Sequence, residues 1–511
     1  MGADENAELP DAEVRDATLS AAEFETKLAE KDARIAELEG EVARIAELEG
    51  EVARIAELED KVAKLEAKIE QLLEKLGQNS SNSHLPPSSD GPGAGKNERK
   101  PKSKGKRKRG GQKGHRGAHR ELLPPERVDE VIDLFPEVCL GCGVTLPQLV
   151  DDEPRRHQLL ELEPSGPHVT EFRRHEVACS RCGGRTRVSC REAKIPASSF
   201  GPRLVAVVVM LTGVYHLGRR KVQRLLGELF HIQISLGALS AMEARASAAL
   251  KPAFDEAKAE AERAEVKHTD ATPWIRAGSL MSLWVLASTL VTVYRILDDG
   301  RRETIRPLYG PPKGILVSDR ATVFLFWEMA SRQICWAHLL RKFVSFSERD
   351  GPVGARGREL LERTSLVFEY WRGFVDGALD RAQLERLLEP VKRQFEAVLA
   401  RAVADQEARL SGSCADILAH ADALWTFVTH EGVEPTNNHA ERELRAFVLW
   451  RKRSFGSQSE RGERFAERVM TVAHTARKLG KDVLDFIVGC VRAQLEATTA
   501  PRLLEGSASA T

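Results

Sequence analysis

Three acidic residues spaced far apart along the chain, Asp270, Asp319 and Glu441, put the tightest condition on any fold this sequence can adopt. Asp270 lies in Glu265-Val-Lys-His-Thr-Asp-Ala-Thr-Pro-Trp274, and Asp319 follows the apolar run Gly314-Ile-Leu-Val-Ser318. Glu441 lies in Thr436-Asn-Asn-His-Ala-Glu-Arg-Glu-Leu-Arg445. Two strand ends and one helix can bring such residues together. Two carboxylates ~4 Å apart repel by roughly 4 kcal/mol at an effective dielectric of about 20, so an ionised trio is tolerable only with cations between its members.

Hard oxygen ligands suit Mg²⁺ or Mn²⁺, which keep several waters and accept phosphate oxygens as further ligands. Two such ions ~3.5 to 4 Å apart can activate a water or a 3′-hydroxyl and stabilise the leaving oxygen of an in-line displacement, which points to phosphodiester cleavage or transfer. In a chain with 76 acidic residues any one of these acids alone reads as a solvated surface charge, so their settings carry the inference. After Asp270 come Met281-Ser-Leu-Trp-Val-Leu-Ala287, a buried-strand pattern, and Leu290-Val-Thr-Val-Tyr-Arg-Ile296, bounded by the turn signal Asp298-Asp-Gly300. Three successive strands, a helical stretch and a fourth strand ending at Asp319 describe a ribonuclease H-like mixed sheet. The interval of 122 positions from Asp319 to Glu441 exceeds what such a core needs, and residues 351–430 carry helical spacing with no convincing strand, so an all-helical insertion is expected there. Glu441 is expected on a helix beginning near Asn437 or Asn438 with an Asn cap, sharing a face with Arg445.

Several segments together resemble the DDE-class transposases of bacterial insertion sequences, most closely the insertion-sequence sixty-six family. They are Asn79-Ser-Ser-Asn-Ser-His-Leu-Pro-Pro-Ser-Ser-Asp90, Gly110-Gly-Gln-Lys-Gly-His115, Cys335-Trp-Ala-His338 with Arg341-Lys-Phe343, and Asn437-Asn-His-Ala-Glu-Arg-Glu-Leu-Arg445 with Arg451-Lys452. The resemblance spans residues 70 to 490 and implies that Asp270, Asp319 and Glu441 are the catalytic and metal-holding triad, served by two Mg²⁺ or Mn²⁺ ions. His338, in a shared motif, is a candidate for active-site support; a hydrogen-bonded core histidine is the plainer reading. The chain departs from the family pattern at Ala271, where an acid is usual, and at Arg320-Ala321, where Gly-Tyr is usual.

The cysteines give a second signal. Cys139-Leu-Gly-Cys142 and Cys179-Ser-Arg-Cys182 are two CxxC knuckles separated by 36 residues, a set of four thiolates suited to one structural Zn²⁺ in a ribbon, with Glu171-Phe-Arg-Arg-His-Glu-Val-Ala178 as a strand joining them. Without a secretory signal, these and the scattered Cys190, Cys335, Cys414 and Cys490 read as thiols of a reducing compartment. Upstream, Lys96 to Arg120 holds 12 Lys or Arg against one acid, although the whole chain balances at 76 of each sign. That stretch, with Lys106, Arg107, Lys108, Arg109 and Lys113 at its centre, reads as an arm lying along DNA phosphates. Arg445, Arg451 and Lys452 are further candidates for phosphate contact near the acids.

Farther upstream, the ten-residue unit Arg34-Ile-Ala-Glu-Leu-Glu-Gly-Glu-Val-Ala43 recurs at Arg44 and, altered, at Arg54. Apolar residues from Ile35 to Leu76 are spaced by three or four, as a coiled-coil seam requires, and the unit is a heptad plus three, a stammer that overwinds the supercoil. Self-association as a homodimer or higher is expected; a single charged helix is the competing reading. Arg219-Arg-Lys-Val-Gln-Arg-Leu-Leu-Gly-Glu-Leu-Phe230, the link to Ile234 and a Ser235-capped helix have helix-turn-helix spacing, which packing helices also produce.

The expected organisation is multi-domain α+β: a coiled coil (20–77), a flexible linker and basic arm (78–120), a zinc ribbon (121–198) and a helical region (199–264). The catalytic core follows in two parts (265–350 and 431–495) around the helical insertion (351–430). The most apolar stretch, beginning at Leu204, is too short for the ~20 residues of a membrane helix, and Met1-Gly-Ala-Asp-Glu5 is no signal peptide, so a cytoplasmic, DNA-associated protein is expected. Its partners would be terminal inverted repeats and target DNA, and the resemblance adds accessory proteins encoded by the element. Two other readings stay open: a non-catalytic DNA-binding protein from a decayed or domesticated relative, and a general ribonuclease H-like nuclease.

Overall fold

A computed structural model describes residues 21–76, 121–162, 166–190, 192–196, 198–407 and 410–505. The linker and the basic arm, with Lys106, Arg107, Lys108, Arg109 and Lys113, lie outside the described residues. The chain divides into two compact units, residues 1–78 and 79–511.

The first unit is one helix, α1 (Ala21–Leu76). Ion pairs one turn apart, Lys61 to Glu57 and Lys64 to Asp60 at 2.6 Å each, follow from its alternating charges. Along it Leu38, Ile45, Leu48, Val52, Ile55, Leu58, Val62, Leu65, Ile69 and Leu72 all lie exposed. Three apolar positions in ten residues fall short of the 3.6 residues of a helical turn, so this stripe drifts around a straight helix, and covering it in a partner requires a strongly wound supercoil.

The second unit opens with a segment, 121–200, that contains no buried residue among those described. Its regular structure is a short antiparallel pair, β1 (Glu176–Ala178) and β2 (Arg185–Arg187). Of the strand expected over residues 171–178, only the last three residues pair, because no apolar neighbour covers the rest. Helices follow: α2 (Pro202–Val209), continued by a π turn over Met210–Val214, then α3 (Arg219–Phe230), α4 (Leu236–Ala249) and α5 (Lys251–Arg263). Ser235 caps α4 by accepting the Ala238 N–H at 3.1 Å. Among the described residues no helix is long and apolar enough to cross a membrane.

The centre of the unit is a five-stranded sheet. β3 (Val266–Arg276), β4 (Ser279–Ala287) and β5 (Thr292–Leu297) form an antiparallel meander. After α6 (Arg302–Tyr309), β6 (Ile315–Ser318) and β7 (Arg332–Ile334) add in parallel on the other side of β3. The order is β5-β4-β3-β6-β7, which puts β3 at the centre. Even-numbered residues of β3 (His268, Trp274) face helix α12 (Asn438–Ser454), while Thr269 on the opposite face shares a 2.7 Å hydrogen bond with the Tyr309 hydroxyl of α6.

From α7 (Trp336–Ser347) the chain enters α8 (Gly351–Val375), α9 (Arg381–Ala404), α10 (Ser411–Leu418) and the short α11 (Thr426–Thr429) before returning as α12. These helices have a core of their own, built on Phe395, Leu399, Trp425 and Phe427, and it fuses with Val317, Ile334 and Trp336 at the β6–β7 side of the sheet. The Trp336 indole N–H donates to the Leu424 carbonyl at 2.8 Å. The last helices, α13 (Glu460–Lys478) and α14 (Val483–Glu496), complete the larger core together with α2, α4 and the meander.

α12 is fastened to β3 at both ends. At its start the Asn437 side-chain amide donates to the Thr269 carbonyl at 2.7 Å. The expected Asn cap is therefore corrected: Asn437 precedes the helix but makes no capping bond, because its amide is spent on the neighbouring strand. At the far end the chain turns at Phe455 and Gly456 and joins the end of β3 through Ser457 N–H to Ile275 O and Ala277 N–H to Ser457 O, 2.9 Å each. Gly456 has φ +94°, and a Cβ there would lie 2.1 Å from the Ile275 oxygen. Gly456→Ala should therefore cost more than about 2 kcal/mol, seen as a melting temperature lowered by several degrees, whereas Gly40→Ala on α1, where a Cβ meets open space, should lower it not at all.

Candidate active site

Sheet register brings the first two acids together. Parallel pairing sets His268 of β3 opposite Val317 of β6, a register that carries Asp270 and Asp319 toward the same end of the two neighbouring strands, where the charge of Asp319 reaches Asp270. β6 is short because Ser318 is its last residue; beyond it the Asp319 carboxylate accepts the Ala321 N–H at 3.0 Å, a local turn that ends the strand. Glu441 stands one turn into α12, above the Asn437 anchor, and its Oε1 is buried without a hydrogen-bond partner.

The electrostatics join the three. Asp270 is pushed up to about 7, first by burial and then by the charges of Asp319 and Glu441; the Ala271 N–H, donating at 2.8 Å, and Arg341 only partly offset them. Arg341 Nη2 lies 3.9 Å from Glu441 Oε2. His338, on the same helix one turn earlier, is held below its ordinary range by burial, while Asp319 and Glu441 oppose that shift. Arg332, buried beneath the Asp319 loop, donates to the Asp319 carbonyl at 3.1 Å and to Ser318 Oγ at 3.3 Å. Burial lowers Arg332 to about 10, partly opposed by Asp319. Arg341, Arg332 and Asn437 were not anticipated as site residues. Arg341 and Asn437 both stand in segments the sequence singles out, Asn437 there as a helix cap; the role of Arg332 and the strand contact of Asn437 exist only once strands and helix have met.

Other side chains divide clearly. Arg445 and Lys452 are exposed, while Arg451 is half-buried and spends its guanidinium on Thr272 Oγ1, at 3.1 Å, and on the Pro273 carbonyl. Arg320 makes a 3.0 Å ion pair with Asp416 of α10, linking the Asp319 loop to the helical insertion. Two residues past Glu441, Glu443 enters a separate buried cluster with His474 (2.6 Å) and Lys478 (3.2 Å). Burial would raise Glu443, but the His474 hydrogen bond and the Lys478 charge outweigh it and hold the carboxylate at about 2. This cluster clamps α12 to α13.

The metal-binding capacity can be judged from the donors. Among the described residues, the group of three ligand-type side chains drawn within 4.8 Å is Cys335, His338 and Glu441. Cys335 is buried, its thiol pushed up to about 11 by burial, with the Asn437 N–H donating to it at 3.1 Å. With Glu441 as its one carboxylate, this trio is a mixed sulfur, nitrogen and oxygen donor set that could hold a metal ion. Asp270, Asp319 and Glu441 offer the hard oxygen donors that suit Mg²⁺ or Mn²⁺.

The cysteine knuckles are built alike. Cys139 N–H donates to Val144 O at 2.9 Å and Cys179 N–H to Gly184 O at 2.8 Å, with Gly143 and Gly183 returning 2.8 Å bonds to Cys139 O and Cys179 O. N–H groups of Gly141 and Cys142 hold the Cys139 thiol below its usual range, and those of Cys182 and Arg181 do the same for Cys179. The four thiols are not gathered into one cluster. Among its described residues the segment that carries them has no buried side chain.

Because Asp270 stands near 7 in the folded chain and near 3.9 when unfolded, the metal-free native state binds the extra proton between those values and loses stability as pH rises from about 4 to 7. Asp270→Asn should thus raise the melting temperature of metal-free protein by several degrees at pH 8 and leave it nearly unchanged at pH 4. Thermal scans at the two pH values check this, and an equal shift at both refutes the electrostatic origin.

Comparison with known proteins agrees with the order of these segments. The uncharacterized protein y4hP of Sinorhizobium fredii is 25% identical over 379 residues, covering 67% of this chain and 68% of the relative. The uncharacterized protein y4qI of the same organism is 28% identical over 166 residues, 30% of this chain and 29% of the relative. A model described as a family of unknown function (DUF6444) matches residues 25–121. The model described as Transposase IS66 family matches residues 197–464, a span that holds all three acids, Arg341 and the whole sheet, and by that match over half its length the chain belongs to the Transposase IS66 family.

Proposed function

We propose that the protein is a DDE-type DNA transposase that hydrolyses phosphodiester bonds at the ends of its element and transfers the freed 3′-hydroxyl into target DNA. The observation that supports this reading most is that the buried Asp270, raised to about 7 first by its burial, also lies within the charge influence of Asp319 and Glu441. The sheet order β5-β4-β3-β6-β7, an antiparallel meander followed by two parallel strands, supports assigning the core to the ribonuclease H-like class.

Asp270, Asp319 and Glu441 would hold two Mg²⁺ or Mn²⁺ ions, which would neutralise the acids, activate the attacking oxygen and stabilise the leaving one. The rest falls to the chain. Asp270 and Asp319 present oxygens from two adjacent strands, and Glu441 closes the site from α12 with the buried oxygen that lacks a partner. Arg341, beside Glu441, limits the repulsion among the acids and offers a cation to a phosphate oxygen. In the first step the oxygen of water forms a bond to phosphorus as the opposite P–O bond breaks, leaving a 3′-hydroxyl. In the second, that hydroxyl attacks a target phosphodiester in the same manner. No covalent protein–DNA link is needed.

The N-terminal parts fit the same task. Self-association through α1 would pair two element ends, the basic arm would follow DNA phosphates, and Cys139, Cys142, Cys179 and Cys182 would hold one Zn²⁺ that folds residues 121–198. The protein should carry about one zinc per chain by elemental analysis after purification, and Cys142→Ser with Cys182→Ser should lose it. A second reading, a binder that has lost catalysis, draws on the Arg320–Asp416 ion pair, which fixes a cation beside Asp319 at a position where the family pattern differs.

A cleavage and strand-transfer assay on DNA bearing the element's terminal repeats decides between them. With Mn²⁺ the wild type should be active, chelation should abolish activity, and Asp270→Ala, Asp319→Ala and Glu441→Ala should each lower it by at least ~10³. Equal activity of wild type and Asp270→Ala would sink the proposal, and an inert wild type that still binds DNA would favour the second reading.

A further inference from the structure

A cleft of about 790 Å³ opens where the start of α3, the loop 455–459 and the start of α13 meet above the end of β3. Its floor is apolar, made by Trp274, Trp450, Leu236 and Phe465, with His216 stacked on Trp450 at 4.8 Å. Its rim is basic: Arg220, Lys221 and Arg461 are exposed and none has an acidic partner among the described residues. The acid in the lining, Glu243, is already neutralised by Arg219. Three uncompensated cations around an apolar floor match a ligand that carries its negative charge at one end and a flat apolar body at the other, which is the chemistry of a nucleotide.

Its position names the nucleotide. Trp274 follows Asp270 by four residues on the same face of β3, so the floor lies ~13 Å along the strand from the acid, about four base-pair steps of a duplex. Between them Arg451 is tied down on Thr272 and Pro273, keeping the path positive. The volume suits one or two nucleotides and excludes a duplex, whose stacked bases cannot enter.

Resting on the proposed transposase reading, we infer that this cleft receives an unpaired nucleotide of the DNA flanking the cleaved phosphodiester, its phosphate on Arg220, Lys221 and Arg461 and its base against the apolar floor. Seated there, a nucleotide fixes the distance between the recognised DNA and Asp270, and so selects which bond is cut.

The test uses full-length protein and two fluorescein-labelled probes of one sequence, a 20-nucleotide single strand and its duplex, followed by anisotropy over a salt series. Arg220→Glu/Lys221→Glu/Arg461→Glu should weaken single-strand binding about tenfold and duplex binding less than twofold. The slope of log affinity against log salt for the single strand should become shallower by about 2, three contacts at ~0.7 each. Leu236→Trp, which fills the cleft and leaves its charges alone, should weaken single-strand binding about fivefold with an unchanged slope. Unaltered single-strand binding in both variants overturns the inference, as does an equal loss on the two probes, which would make the rim a plain duplex-backbone contact. A failure of the catalytic reading shows itself in the cleavage assay of the triad variants, and a failure of this one in the binding of the cleft variants.

Discussion

The pinning of α12 along β3 is the constraint on which the rest of the structure depends. The helix starts on the Thr269 carbonyl and ends on the Ile275 carbonyl, and between these anchors Trp274 packs edge-on against Phe447 and Trp450. Because both ends are fixed to one strand, Glu441 has no freedom to slide or turn away from Asp270. The Glu443 cluster adds a third hold, joining the same helix to α13 through a carboxylate kept ionised by His474 and Lys478. An acid on a helix that merely leaned on the sheet would swing outward under repulsion from Asp270 and Asp319; here that repulsion has to be borne, and it adds to the burial that raises Asp270.

The price of that arrangement explains what surrounds it. Arg332 sits wholly buried under the Asp319 loop, bonded to the Asp319 carbonyl and Ser318 hydroxyl, and Arg341 stands near Glu441. Neither cation touches a site carboxylate at hydrogen-bond distance, so both moderate the local field without occupying the oxygens themselves. Oxygens left accessible in this way suit cation binding, whereas tight ion pairs would have closed the site.

Much of this was legible in the sequence because strand signals are local. The runs ending at Ala287, Ile296 and Ser318 became β4, β5 and β6 with boundaries shifted by a few residues, and the helical spacing of residues 351–430 became α8 to α11. The three acids were legible for the same reason: each lies where a periodic element meets a polar motif. What could not be read is what arises only between elements. Asn437 looked like a helix cap from its neighbours, yet the carbonyl of Thr269, 168 residues earlier, claims its amide. Arg332 carries no pattern at all, since its role is to fill a polar hole beneath a loop formed elsewhere. The insertion could be read as helical, but its fusion to the β6–β7 side through Val317, Ile334 and Trp336 depends on shape, which periodicity does not encode.

That fusion places the long insertion close to the chemistry. It departs from α7, which bears His338 and Arg341, and returns directly into Asn437 and Glu441, so both of its ends adjoin residues of the candidate site. Arg320 adds a third connection through Asp416 on α10, the helix that places Cys414 and Ile417 in the insertion's core. A helical body tied to the second acid by an ion pair, to the histidine helix by its entry and to the third acid by its exit cannot shift without moving all three. The insertion therefore does more than enlarge the molecule: its own apolar core, around Phe395 and Trp425, backs the frame in which Asp319, His338 and Glu441 are held, whereas Asp270, on the central strand, is held by its sheet neighbours and by α12.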